Sequence, residues 1–182
     1  LFLDRAYIKY EPAEWLSISG GRMPNPWFST DLVWDVDLNF DGFAATIKPQ
    51  IGDGGFRPFL TVGAFPIREN NPPNAKSRYL SGAQAGAKWE MARNSKLTIG
   101  AALYNYTRLE GQLEGDPGAD LVPGFGQYEY GKGLRQKGNT LFLTDFDRND
   151  DQGAQYWGLA SKFRPMNLTA SLDLAHFDPV HV

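Results

Sequence analysis

Cysteine is absent from this chain of 182 residues, which excludes disulfides, thiol nucleophiles and Cys-based metal sites. Histidine is scarce: His176 and His181 are the only two, both near the C-terminal end. No His-Glu-x-x-His, Gly-x-Ser-x-Gly or P-loop pattern occurs, and Gly131-Lys132-Gly133 lacks the strand–helix context that phosphate binding needs. The chain therefore reads as a non-enzyme with no cofactor. No apolar run approaches the roughly 18–20 residues of a membrane-spanning helix. Neither sign of charge dominates: 18 Lys and Arg face 21 Asp and Glu, and no basic stripe for nucleic acid appears. The chain opens on Leu1-Phe2-Leu3 without Met or a signal peptide, and is expected to be an internal piece of a longer protein.

What the chain has is glycine, at 20 residues, aromatic side chains, at 14%, and a strict alternation of apolar and polar residues in short stretches. A mean hydropathy of −0.41 rules out a helical membrane protein but not a barrel, whose strands are apolar on one face only. Eight strands are expected: Leu3–Tyr10, Trp15–Gly21, Phe40–Lys48, Arg57–Phe65, Tyr79–Glu90, Lys96–Tyr106, Gly153–Arg164 and Asn167–Phe177. Their apolar parity places Ala6, Ile8 and Tyr10, then Leu16 and Ile18, then Phe43, Ala45 and Ile47 on an outward face. Leu60, Val62 and Ala64, then Ala83, Ala85, Ala87 and Trp89 follow, then Trp157, Leu159 and Phe163, and Leu168, Ala170, Leu172 and Leu174. Asn139–Phe146 also has strand-like content, as a hairpin arm within a long loop or as an extension of the seventh strand.

The links sort by length. Those after strands one, three, five and seven are short, among them Glu11–Glu14 with Pro12, and Pro165-Met166. Those after two, four and six are long, near 22–39, 66–78 and 107–152. Outer-membrane barrels have this parity of short periplasmic turns and long outer loops, whereas a soluble sandwich has no reason for it. The expected fold is thus an all-β, antiparallel up-and-down transmembrane barrel, a single unit over 1–182. Three short turns each run aromatic, charge, turn, Leu, which would set Tyr10, Trp15, Trp89, Trp157 and Phe163 as a lipid-facing girdle. One irregularity is that Asp35, Asp37, Asn39 and Asp41 share the parity of Phe43 and Ala45. Either Gly42 marks a face-flipping bulge, or the acidic part lies above the hydrocarbon.

The combination of Gly21-Arg22-Met23-Pro24-Asn25-Pro26 with Leu32-Val33-Trp34-Asp35 and Asn39-Phe40-Asp41-Gly42 resembles the Putative porin family of Gram-negative outer membranes. The likeness covers about the first quarter of the chain; the rest matches in style, with a late Asp145-Phe146-Asp147 before a strand. It implies a passive diffusion channel in the outer membrane, built as a larger single-chain barrel.

A channel needs a polar lumen, a constriction and charges that bias ion passage. Inward parity falls on Arg5, Lys9, Gln84, Lys88, Lys162, Arg164 and Asp173, five of the seven basic, which suits an anion preference or a snorkelling periplasmic rim. The link 22–39, with Arg22, Trp27, Phe28, Asp31, Trp34, Asp35 and Asp37, reads as an inward constriction loop or as a strap packing its aromatics on the inner wall. Asp37, Asn39 and Asp41 match the start of a calcium loop, but Lys48 stands where the bidentate Glu belongs; Asp145 and Asp147 form a second weak candidate. The expected partners are outer-membrane lipid and small hydrophilic solutes, with a homo-oligomer carried by analogy to porins alone. Two rival readings stand: a soluble β-sandwich binding sugar through Trp27, Trp34 or Trp157, and a non-conducting structural barrel.

Overall fold

The computed structural model describes residues 4–35, 37–52, 54–68, 78–91, 95–110, 140–143 and 157–174. Among them there is no helix. The strands are β1 (Ala6–Ala13), β2 (Leu16–Pro24), β3 (Asn39–Ile47), β4 (Phe56–Arg68), β5 (Arg78–Glu90), β6 (Lys96–Thr107), β7 (Leu141–Leu143), β8 (Trp157–Leu159) and β9 (Met166–Asp173). Seven of them form one antiparallel up-and-down sheet in the order β1-β2-β3-β4-β5-β6-β9, and β7 pairs with β8 in a separate two-stranded piece. The sheet is not closed: β1 and β9 are its edges.

Alternation decides the two faces. One row across the sheet reads Ile18, Ala45, Val62, Ala83, Leu103, Met166, and the next row on that face reads Leu16, Ile47, Leu60, Ala85, Ala101, Leu168. The interleaved row on the other face reads Ser17, Thr46, Thr61, Gln84, Ala102, Asn167. The apolar face is the bare one. On the two central strands Leu60 and Val62 are 42% and 43% exposed, while Thr61 and Gln84 behind them are 2% and 0% exposed. A water-soluble sheet buries its apolar face, so this one is inverted.

Prolines sit where their missing N–H does least harm. Pro12 was expected to end the first strand. Instead β1 runs through it on the sheet edge, with a register shift between Tyr10 and Ala13, and the turn falls at Glu14 and Trp15. Pro58 and Pro66 lie outside the stretch Leu60–Ala64 that pairs with β3. Of the two alternatives at Gly42, the face-flipping bulge is not there: the β2–β3 register runs unbroken from Leu16↔Ile47 to Pro24↔Asn39. Gly21 and Gly42 face each other in that ladder with φ of +110° and +146°. A Cβ on Gly42 would press on the Phe65 ring at 2.9 Å, so the twist there needs glycine.

The seventh expected strand is corrected. Of its described residues only Trp157–Leu159 form a strand, and they pair antiparallel with Leu141–Leu143 of the strand-like segment; the rest of Asn139–Phe146 apart from Thr140, and residues 153–156, lie outside the described residues. Leu159, expected outward, is buried at 5%. The eighth expected strand pairs directly with β6, from Lys96↔Asp173 to Leu103↔Met166. Pro165-Met166 is therefore no turn. Tyr104 N–H donates to the Pro165 carbonyl at 3.0 Å and Tyr106 N–H to that of Phe163 at 3.0 Å, extending the same ladder. A proline keeps its acceptor, and its absent N–H is tolerated on an edge strand.

Phe59 lies across from Gly86, and a Cβ on Gly86 would meet both the Phe59 ring and the Ile99 carbonyl oxygen. The backbone oxygen cannot yield. Gly86→Ala is expected to destabilise the sheet by about 1–3 kcal/mol, read from the urea midpoint of the detergent-folded protein; an unchanged midpoint would show that the pair relaxes freely.

Candidate functional site: a strap on the polar face

The segment 25–38, between β2 and β3, lies back across the polar face of the sheet. Local turns shape it. Asn25 Oδ1 accepts from Trp27 N–H at 2.9 Å, the Thr30 carbonyl accepts from Val33 N–H at 2.9 Å, and Asp35 Oδ1 accepts from Asp37 N–H at 3.0 Å. Short polar side chains favour such self-bonded turns over strand.

The sheet receives the strap on a floor of glycine. Gly63 and Gly82 are cross-strand partners on β4 and β5, and Trp27 lies on both, about 3.2 Å and 3.0 Å from where their Cβ atoms would stand. Trp27 meets Phe65 and Tyr104 edge to face, with centroids 6.1 and 5.4 Å apart. Trp34 does the same with Phe40 and Tyr104, each at 5.2 Å. Trp27, Phe40, Phe65 and Tyr104 form the buried core with Met23, Ala44, Leu80 and Ala102, and half-buried Trp34 packs against it. Edge-to-face pairs each add about 0.5–1.5 kcal/mol beyond the area they bury.

A single polar side chain locks the strap. Gln84 Oε1 accepts the Phe28 N–H at 2.8 Å, and Gln84 Nε2 donates to the Phe28 carbonyl at 2.6 Å. The carboxamide thus pairs with one residue's backbone as a neighbouring strand would. Phe28 packs its ring edge to face on Phe59 at 6.3 Å and over Gly100. Two strap-reading signals were present in the sequence and were not combined: Gln84 standing among small residues, and same-parity glycines at 63, 82, 86 and 100 on consecutive strands.

The expected site residues divide. Lys9, Lys88 and Asp173 lie on the polar face by register, Lys9 2.8 Å from Glu11 and Lys88 3.8 Å from Glu90. Asp31, Asp35 and Asp37 are exposed on the strap. Arg22 is a correction: it alternates with buried Met23, stands on the opposite face beside its register partner Asp41, and reaches that carboxylate at 3.8 Å. Arg164 likewise donates to Asn105 Oδ1 at 3.0 Å, and Asn105 has the parity of the apolar face. Arg5 is bound to Asn39 and Asp4 at the strand mouth, and Lys162 stands 3.6 Å from Glu110 beyond the main ladder.

On the bare face Tyr10 and Trp89 lie at the turn end, with Trp15 exposed in the first turn and Phe56 directly across from Trp89. Phe163 is corrected to the polar side, where it meets Tyr106 at 6.4 Å. Trp157 belongs to the small β7–β8 piece and not to the main sheet. Of the calcium candidates, Asn39 is engaged by Arg5 and Asp4, and Asp41 stands 3.8 Å from Arg22. No group of three metal-ligating side chains occurs among the described residues. Asp145, Asp147, His176 and His181 lie outside the described residues.

The described sheet is thus an open antiparallel meander with one apolar face bared, a polar face behind it and a loop folded onto the polar side. The comparison with protein families shows that the chain belongs to the family described as Putative porin, whose model matches residues 1–182, all of it. Membership implies a porin-like transport protein of the outer membrane. No curated protein and no solved structure matches the chain.

Gln84→Leu removes both strap bonds and leaves the Phe28 N–H and carbonyl without their partner. It is expected to cost about 1–3 kcal/mol and to open the strap to protease between residues 28 and 38. Equal protection in variant and parent would show that the aromatic packing alone holds the strap.

Proposed function

We propose that this chain is wall and constriction of an outer-membrane diffusion channel for small hydrophilic solutes. The observation that carries the reading is the inverted sheet: the central apolar residues Leu60, Val62, Ile99 and Leu103 are exposed, while Thr61, Gln84 and Thr169 are buried behind them. Lipid is the medium in which that arrangement is stable, because hydrocarbon takes up the greasy face and the ladder satisfies the backbone. Tyr10, Trp15, Phe56 and Trp89 then sit at the interface on the turn side.

The polar face becomes the lumen wall. Thr46 and Thr61 bond hydroxyl to hydroxyl at 3.1 Å, and their row continues through Ser17 and Asn167. The strap narrows the bore from that wall, its aromatics against the sheet and Asp31, Asp35 and Asp37 on its exposed side. Edges at β1 and β9 carry unpaired backbone groups, which must be joined to further strands before the wall can sit in hydrocarbon. The sugar-binding sandwich loses two of its three stacking platforms in this reading, since Trp27 is 5% exposed and Trp34 is engaged by Phe40 and Tyr104.

Discrete current steps are expected when the detergent-folded protein is added to a planar bilayer. A protein that folds as a stable monomer in water without detergent, and passes no current, would overturn the channel. A second check uses the wall itself: Val62→Arg, on the bared face of a central strand, should weaken folding into vesicles by about 2–4 kcal/mol if the residue lies near mid-bilayer. An unaffected folding free energy would place that face in water.

A further inference from the structure

The turn end of the polar face carries more cation than its ladder needs. Lys9 is answered by Glu11, Lys88 by Glu90, and Lys96 stands across from Asp173. Arg57 has no such answer: its register partner on β5 is Lys88, and among the described residues its guanidinium makes no ion pair. Like charges directly opposite one another on a sheet destabilise it. Alternation also sets Lys48, one residue past β3, on the same face, where its N–H continues the ladder to the Trp15 carbonyl at 2.7 Å.

Lys48 and Arg57 meet at a groove of about 540 Å³ under the first and second short turns, with Gln50, Glu14, Trp15 and Ile47 also on its walls, and Lys88 adjoins it as the register partner of Arg57. Among the described residues Glu14 is the one carboxylate in the lining, against Lys48 and Arg57; beside them Glu90 answers Lys88 and Glu11 faces Lys9 and Lys48, which leaves Arg57 as the cation without a carboxylate of its own. A cross-strand pair of cations with a concave space beside it is stabilised by an anion between them. The planar guanidinium fork of Arg57 matches two oxygens of a phosphate or carboxylate, and an ammonium supplies a further charge-assisted bond.

We infer that Lys48, Arg57 and Lys88 form an oxyanion site at the turn end of the polar face, taking the phosphate or carboxylate group of a small solute. The channel reading supplies only the route by which the solute arrives; the site itself stands on the groove and its charges. It makes the exit of the bore selective for anionic solutes.

The test is calorimetric titration of the detergent-folded protein with inorganic phosphate at constant ionic strength, repeated with acetate. Saturable binding of either oxyanion is expected, with the two titrations showing which group fits. Arg57→Gln should weaken it at least tenfold, and Arg57→Lys, which keeps the charge and loses the fork, should fall between. Arg164→Gln removes the same charge from the opposite face and should leave it unchanged. Should Arg57→Gln fail to fold, Lys48→Gln in the link gives the same reading. Heats no larger than those with chloride, or equal affinity in the Arg57 and Lys48 variants, would overturn the site. Conductance reports on the channel separately: a protein that binds phosphate but passes no current keeps the site and loses the pore.

Discussion

The unbroken two-residue register of the sheet is the constraint on which everything else rests. From β2 to β9 each cross-strand row keeps to one face of the sheet, and between β2 and β3 the ladder runs over nine consecutive pairs. A slip of one residue on any strand would send its serines and threonines to the greasy side and its valines and leucines to the other. The penalty is borne on both faces at once, which makes the register hard to lose. Even the irregularities respect it: the shifts beside Pro12 and Pro66 fall near strand ends, away from the central rows.

On that wall the strap is an addition with its own logic. Three features converge on it from distant parts of the chain: a glycine floor on β4 and β5, a tyrosine on β6, and one amide on β5. Flat backbone lets Trp27 approach closely. Tyr104 receives both indoles edge to face. Gln84 offers a peptide-like donor and acceptor to a stretch of chain that has no strand beside it. None of these is strong alone, and the packing of rings against glycine leaves little slack for another arrangement. The acidic residues of the strap are thereby left at its exposed surface, and the basic residues stay at the far, turn end of the same face.

Legibility in the sequence followed the range of the interaction. Strands β2 to β6 were readable to within a few residues, because alternation and turn residues act over two to four positions. The outward parity of Ile18, Phe43, Val62, Ala85 and Leu168 was readable for the same reason. Arg22 was not: its type suggested a lumen, while its position, one step from Met23, set it on the other face. Pro12 and Pro165 misled in a related way. Proline is a turn former by local preference, and only the absence of a second neighbouring strand makes it acceptable in an edge. The expected strand over Gly153–Arg164 was misjudged because periodicity says that a strand can form and not what it pairs with: Trp157–Leu159 pairs with Leu141–Leu143, while Phe163 continues the β6 ladder.

What the sequence by itself determined is the two-faced, all-β character of the chain and the approximate extents of its central strands. These depend on residue type and nearest neighbours in the chain. Only the tertiary structure decided that β6 pairs with Met166–Asp173, that Gln84 clasps Phe28 across 56 positions, and that Arg57 stands beside Lys88 without a counter-charge. Such pairings are chosen by competition among distant segments for the same edge, floor or charge. Their energies depend on which surfaces meet, and no local pattern of residues carries that information.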